Sequence, residues 1–161
     1  MLLTIVGKRG KGKTTLAKNL LIQSEADQIF VFDYLGEYLA LSSERIRVYR
    51  ENLAEFCEYI WNNSGGNIRS LAVFDEVDLY GKNNEYISFL YRFGRHKKIE
   101  IIAVARRFYD LPVIIRALTD KFYLFQITEE RDISYLKRLV SDDFVRKLIS
   151  LENFQYINIE L

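Results

Sequence analysis

Short apolar runs alternate along the chain with longer stretches whose apolar residues recur every three or four positions. This is the pattern of βαβ units packed around a parallel sheet. Residues 2–6 predict a first strand, 13–23 a helix, 29–33 and 45–49 the second and third strands, and 51–62 a second helix. Asn63-Ser64-Gly65-Gly66-Asn67 reads as a loop and 71–75 as a strand buried on both faces. A helix over 84–93 precedes a nearly continuous apolar strand over 99–105. Pro112 suits the first turn of a short helix over 112–118, where a missing N–H costs nothing. A strand over 122–127, helices over 130–139 and 142–151, and an edge-like alternation over 154–159 complete the pattern. No repeat, low-complexity tract or linker interrupts it, so the 161 residues are expected to form one domain. The expected fold class is α/β, three layers, with a mainly parallel central sheet flanked by helices.

Composition narrows the classes further. With 49% hydrophobic and 28% charged residues the chain carries enough apolar surface for a packed core, which excludes a disordered or collagen-like protein. Lys and Arg number 23 against 22 Asp and Glu, a net charge of +1, so the overall field selects no partner and any pull on nucleic acid must come from local clustering. The single cysteine, Cys57, has no internal disulfide partner, and with His96 as the one histidine a structural zinc site is disfavoured. A reducing, cytoplasmic setting is the expectation. No apolar run exceeds about six residues, against roughly 20 for a bilayer span, and the N-terminus lacks signal-peptide character, so neither membrane insertion nor secretion is expected.

Gly7-Lys8-Arg9-Gly10-Lys11-Gly12-Lys13-Thr14 matches G-x-x-x-x-G-K-[ST] between a predicted strand and a predicted helix. Its glycines let successive backbone N–H groups wrap phosphates at angles that a side chain resists. Lys13 is expected to reach the β- and γ-phosphates, Thr14 to ligate Mg²⁺, and Thr15 to follow on a helix whose positive end faces the anion. Lys8, Arg9 and Lys11 either contact phosphate or only raise the local potential. Downstream, Leu71-Ala72-Val73-Phe74-Asp75-Glu76 is an apolar strand closed by two carboxylates, the Walker B partner of such a loop. Asp75 is expected to hold the Mg²⁺ water shell. Glu76 is expected to orient and polarise a water for attack on the γ-phosphate, a base that kinases do not need.

Together these residues resemble the HerA/FtsK-type ring translocases, a branch of the P-loop ATPases with a glutamate after the Walker B aspartate. Phe32-Asp33-Tyr34-Leu35-Gly36-Glu37-Tyr38 is similar to that branch's D-x-x-G-E-Y turn. Gly94-Arg95-His96-Lys97-Lys98-Ile99 resembles the basic turn before its sensor strand, and Ile114-Ile115-Arg116 through Asp120 to Phe125 its following helix and strand. The resemblance covers roughly residues 1–127. It implies an ASCE (RecA-like) P-loop sheet with the sensor strand between the phosphate-loop and Walker B strands. It also implies a ring, usually a hexamer, that binds ATP between neighbours and pumps double-stranded DNA, with an arginine supplied to the γ-phosphate by the adjacent subunit.

At one functional place the chain departs from that family. Arg106 stands where a γ-phosphate-sensing glutamine is usual, so it acts as a sensor, acts as an internal arginine finger, or marks altered sensing and slow turnover. From Arg92 to Arg107 the segment is basic apart from Glu100. It contacts DNA phosphates, supplies the trans-acting arginine, with Arg95 and Arg116 the leading candidates and Arg92 behind them, or is a solvated helix end and loop. Lys82, in a loop over 79–84, is placed either to track DNA in a pore or to lie on a plain surface. No motif for sequence-specific recognition is present. His96 is read as part of the basic turn, and Trp61 as packing its helix on the sheet. Cys57 reads as a buried small apolar residue. Tyr34 and Tyr38 either approach a nucleotide or neighbour or pack in the core, the latter being favoured.

The reading that follows is an ATP-hydrolysing, Mg²⁺-dependent motor acting as a ring on double-stranded DNA. Its lack of room for accessory domains suits viral genome packaging, with a capsid or assembly protein as docking partner. Rival readings are a phage assembly or export ATPase that does not act on DNA, a nucleotide-binding regulatory switch, and a small-molecule kinase, which Glu76 disfavours.

Overall fold

Helices cover both faces of the sheet, which is why its central strands are apolar at nearly every position. In the computed structural model, which describes residues 1–160, seven strands form one sheet. They are β1 (Leu2–Val6), β2 (Gln28–Phe32), β3 (Ile46–Tyr49), β4 (Ser70–Phe74), β5 (Ile99–Ala105), β6 (Lys121–Phe125) and β7 (Tyr156–Ile159). Their order is β3-β2-β4-β5-β1-β6-β7, parallel throughout except for the antiparallel β6–β7 edge pair. β5 lies between β1 and β4, with Ile101 opposite Leu2 on one side and Ala72 on the other. That is the insertion the family resemblance implies.

The period-two alternation of each strand divides the core in two. Leu3, Ile5, Val31, Val73 and Val104 face α1 (Lys13–Gln23), which contributes Ala17 and Leu21. Val6, Phe32, Phe74 and Ala103 face the opposite layer, built from α2 (Leu53–Asn63), α4 (Glu85–Phe93), α5 (Val113–Leu118), α6 (Glu130–Leu136) and α7 (Asp142–Ser150). Asn52, Asn84 and Ser141 cap α2, α4 and α7 by accepting from Glu55, Ile87 and Phe144 backbone N–H groups. Among the described residues no helix is long and apolar enough to cross a membrane.

The structure corrects or extends the expected elements in four places. The stretch over 79–84 is not all loop: a short helix α3 (Val77–Tyr80) follows β4 directly, held by the Tyr80 hydroxyl donating to the Asp75 carbonyl at 2.6 Å. The helix expected over 130–139 ends at Leu136. Trp61 packs against Phe89 of α4 (ring centroids 4.7 Å apart) beneath the Lys97 ammonium, so its ring also joins helix to helix, while Phe56 and Tyr59 carry α2 onto the sheet as expected. Tyr34 is 52% exposed while Tyr38 is fully buried, so only the second of these tyrosines is core. Cys57 is buried as expected, which pushes its thiol up to about 12.

Candidate functional site

Because β1, β4 and β5 run parallel, their C-terminal ends deliver their following loops to one place. The loop after β1 hangs between the ends of β5 and β6: Gly7 N–H donates to the Ala105 carbonyl at 3.3 Å and Lys8 N–H to the Gln126 carbonyl at 3.2 Å. Only glycine fits at position 7, where a Cβ would stand 2.5 Å from Phe125 Cβ. Gly12 caps α1 at φ 102°, and no side chain or first-turn carboxylate occupies the orphan N–H groups there, which leaves them for an anion. Lys8, Arg9 and Gly10 are exposed, Lys11 and Thr14 are half-buried, and Thr15 is exposed on the first turn of α1. Lys13 is buried and folds its ammonium back onto the Lys8 carbonyl at 3.2 Å. Burial lowers its pKa against the opposing pull of Glu76, Asp75 and Asp78.

The end of β4 supplies the carboxylates that Lys13 feels. Asp75 is buried, its Oδ1 accepts the Glu76 N–H at 2.9 Å, and its Oδ2 has no hydrogen-bond donor. Burial, followed by the adjacent Glu76 charge, pushes Asp75 up to about 7. Glu76 adopts φ 52° at the turn into α3, and its Oε2 lies 2.8 Å from Arg106 Nε without a hydrogen bond in line. Burial raises its pKa and the Arg106 guanidinium opposes that rise. Asp78 holds Arg106 twice, accepting its backbone N–H at 3.3 Å and lying 3.5 Å from Nε. Arg106 therefore rests on the expected catalytic base, clamped by a residue that received no role from the sequence.

A second contribution comes from the turn after β2. The Asp33 carboxylate, wholly buried, accepts the backbone N–H groups of Gly36, Glu37 and Tyr38 at 2.8, 2.9 and 2.7 Å. Gly36 supplies the φ of 82° that the turn needs. The turn delivers Tyr38 and Glu37 to the edge of the cluster, where both interact with Asp75 electrostatically. The buried Tyr38 hydroxyl and Asp75 Oδ2 have no partner in aligned hydrogen-bond geometry, yet the two side chains are close enough for Asp75 to raise the Tyr38 pKa. A buried carboxylate oxygen outside any aligned hydrogen bond and a buried lysine at one strand edge mark a place prepared for a ligand.

The profile of the AAA domain matches residues 1–106, a span that includes the phosphate loop, both β4 carboxylates and Arg106. The chain belongs to the AAA domain family. No curated protein matches it. Among solved structures, the genome packaging NTPase of Sulfolobus turreted icosahedral virus 2 in complex with AMP superposes with a TM-score of 0.78 at 19% identity, over 99% of this chain and 91% of that one. Its AMPPCP complex gives 0.77 at 18%, with the same coverage. The N-terminal domain of zonular occludens toxin from Neisseria meningitidis gives 0.55 at 17%, over 99% and 92%. At these identities the likeness is one of fold, and it extends that fold past residue 106 to β7. Family and fold together agree with the expected three-layer α/β P-loop architecture.

The remaining candidate residues of this AAA domain fall outside the cluster. Arg95 lies on the 3-10 turn Gly94–Lys97 before β5, at the opposite edge of the sheet, its guanidinium 78% exposed beside Asp120 at 3.5 Å. Arg116 on α5 donates to the Tyr109 carbonyl at 2.9 Å and covers the Tyr135 ring at 5.0 Å. Arg92, His96 and Lys82 are exposed. Sequence reasoning missed the roles of Asp33 and Asp78. The first was visible as a signature without a task, and the second joins Arg106 across 28 positions, with no local signal to reveal it.

Proposed function

We propose that this AAA domain, acting as one P-loop ATPase unit over residues 1–161, hydrolyses ATP with Mg²⁺. The cycle moves double-stranded DNA through a ring of copies, a hexamer by the family resemblance, in packaging a viral genome in the host cytoplasm. The observation that carries the reading is the convergence of Lys13, Asp75, Glu76 and Arg106 at one sheet edge, in a fold shared with a genome packaging NTPase along nearly the whole chain. DNA is held by its phosphates and not by sequence, and a capsid or assembly protein provides the docking site.

The residues fit the chemistry. Asp75 Oδ2, an acceptor without a donor, and the Thr14 hydroxyl suit Mg²⁺, which takes few protein oxygens and keeps its waters. When bound, that ion neutralises charge on the β- and γ-phosphates. The N–H groups from Lys8 to Thr14, with Thr15 after them, cradle the phosphates, and Lys13 turns its ammonium from the Lys8 carbonyl toward the γ-phosphate. Glu76 orients the attacking water and accepts its proton while the water oxygen bonds to the γ-phosphorus and the bridging β–γ bond breaks. Arg106, 2.8 Å from Glu76, transfers its charge to the γ-phosphate as negative charge develops there. Arg95 or Arg116 of an adjacent copy completes the charge balance.

Steady-state ATP hydrolysis with Mg²⁺, with and without double-stranded DNA, across protein concentrations and beside Glu76→Gln, tests the proposal. Turnover per subunit that rises with concentration and with DNA, and vanishes in the variant, supports it. Turnover indifferent to DNA identifies an assembly or export ATPase. The Arg106–Glu76 pair favours a regulatory switch as the second reading, and tight ATP binding without turnover, unchanged by Glu76→Gln, identifies that one.

A further inference from the structure

The segment between α7 and β7 closes over the phosphate loop from 142 positions away. Lys11 Nζ donates to Asn153 Oδ1 at 2.7 Å, and Phe154 N–H donates to the Lys11 carbonyl at 3.0 Å. Phe154 is held at φ 64°, in the left-handed region that phenylalanine rarely occupies, and its side chain is left in water with the residue 67% exposed. The ring edge meets Gly12, where a Cβ would come 2.6 Å from Phe154 Cδ1. Glycine at position 12 therefore serves two ends: it turns the chain into α1, and it admits the phenyl ring. Behind the loop, Phe125 packs on Tyr156, ring centroids 5.3 Å apart, and Tyr156 on Tyr123 at 5.5 Å.

The strand order says which part of a nucleotide would meet this ring. With phosphates seated on the N–H groups of the loop and the N-terminus of α1, the nucleoside must leave along one flank. β5 and β4 lie on one side of β1 and fill that flank with Arg106, Asp75 and Glu76. β6 and β7 lie on the other, and there Phe154 presents its ring. We propose that Phe154 is the stacking platform for the nucleobase of the bound nucleotide, fixed in place by Asn153 and the Lys11 carbonyl. The inference rests on the nucleotide site proposed above. An aromatic face grips a base by area and dispersion and offers it no hydrogen-bonding edge. Phe154 thus supplies affinity for the nucleoside and takes no part in the chemistry at the γ-phosphate.

Calorimetric titration of the intact chain with ATP and with inorganic tripolyphosphate, both with Mg²⁺, separates base from phosphate. Phe154→Ala is expected to weaken ATP about tenfold, ~1.4 kcal/mol, and to leave tripolyphosphate within about twofold. Phe154→Trp is expected to restore ATP affinity, and kcat at saturating ATP to stay near wild type in both variants. Melting temperatures close to wild type verify that each variant folds, as an exposed ring allows. Equal weakening of ATP and tripolyphosphate would make Phe154 a brace of the phosphate loop and overturn the proposal, as would unchanged ATP affinity. Failure of the wild-type chain to bind either ligand would remove the nucleotide site itself, and with it this inference.

Discussion

Asp75 carries a charge that burial makes costly, and its cost depends on pH. The unfolded carboxyl titrates near 4, whereas burial and the neighbouring Glu76 push the folded one up to about 7. Between these values the native state holds a proton that the unfolded state has released, so stability from this residue falls as pH rises through that window and stays lost above it. In metal-free protein, Asp75→Asn is expected to stabilise the fold at pH 8 by ~2 kcal/mol and to change it little at pH 4. Thermal melts in EDTA at the two pH values check this, and the same variant should lose Mg²⁺-dependent turnover. Arg106 acts on Glu76 in the opposite sense, since its guanidinium holds down a carboxyl that burial raises. Arg106→Gln restores the residue usual in the resembling family, yet here it removes the cation facing the base. The acid limb of the kcat–pH profile is expected to move to higher pH, and kcat to fall about 10²-fold, typical of losing one preorganised charge at a transition state. An unmoved limb would show that the guanidinium does not govern Glu76 during turnover.

The turn between β2 and the 3-10 segment Leu39–Leu41 shows an element built by one side chain. Three backbone donors converge on the Asp33 carboxylate inside the protein, and no other group replaces it. Asp33→Ala is expected to cost about 2–4 kcal/mol, because buried N–H groups lose their acceptor, and to reduce turnover as Glu37 and Tyr38 leave the Asp75 cluster. Asp33→Asn keeps one acceptor oxygen and should retain more of both, as urea unfolding and ATPase assays of the pair would show. At this scale the limits of sequence reading have physical causes. The strands, α1 and the phosphate loop were legible because period, glycine and lysine spacing are local properties. Asp33 was legible as a motif residue, but its partners are backbone atoms that carry no sequence identity. α3 escaped notice because four residues show no helical period, and its Tyr80 anchor is a hydroxyl on a carbonyl. Tyr34 and Tyr38 share a type and a neighbourhood, and the sharp turn at Gly36 separates one into solvent and the other into the core. The contact of Phe154 with Gly12 arises only when β7 pairs with β6, so nothing near either residue announces it.

For the molecule as a whole, the proposed ring raises the question of which arginine would complete a neighbour's site, and the sheet itself discriminates between the candidates. Arg95 precedes β5, whose seven residues place it roughly 20 Å from Arg106 at the strand's far end, beyond reach of its own nucleotide. Its partner Asp120 is a surface contact at 3.5 Å, and such pairs contribute ~0–1 kcal/mol, so the guanidinium is easily redirected to another copy. Arg116 is committed instead: it holds the Tyr109 carbonyl and stacks on Tyr135, tying α5 to α6. Arg95→Ala is therefore expected to abolish cooperative turnover with an unchanged melting temperature, while Arg116→Ala should lower that temperature. Mixing decides whether Arg95 acts across subunits. Arg95→Ala and Glu76→Gln chains are each inactive alone, but where an Arg95→Ala site faces a Glu76→Gln neighbour the intact glutamate meets an intact arginine. In an equal, random mixture about a quarter of the interfaces are complete in this way, so turnover should recover toward that fraction of wild type. Recovery would require a head-to-tail assembly in which every site is shared. If the mixture stays inactive, Arg95 serves no neighbour's nucleotide, and the salt dependence then separates the two readings left for the exposed basic turn: DNA-stimulated turnover that falls steeply with salt assigns it to the DNA backbone, and turnover indifferent to salt makes it a solvated surface.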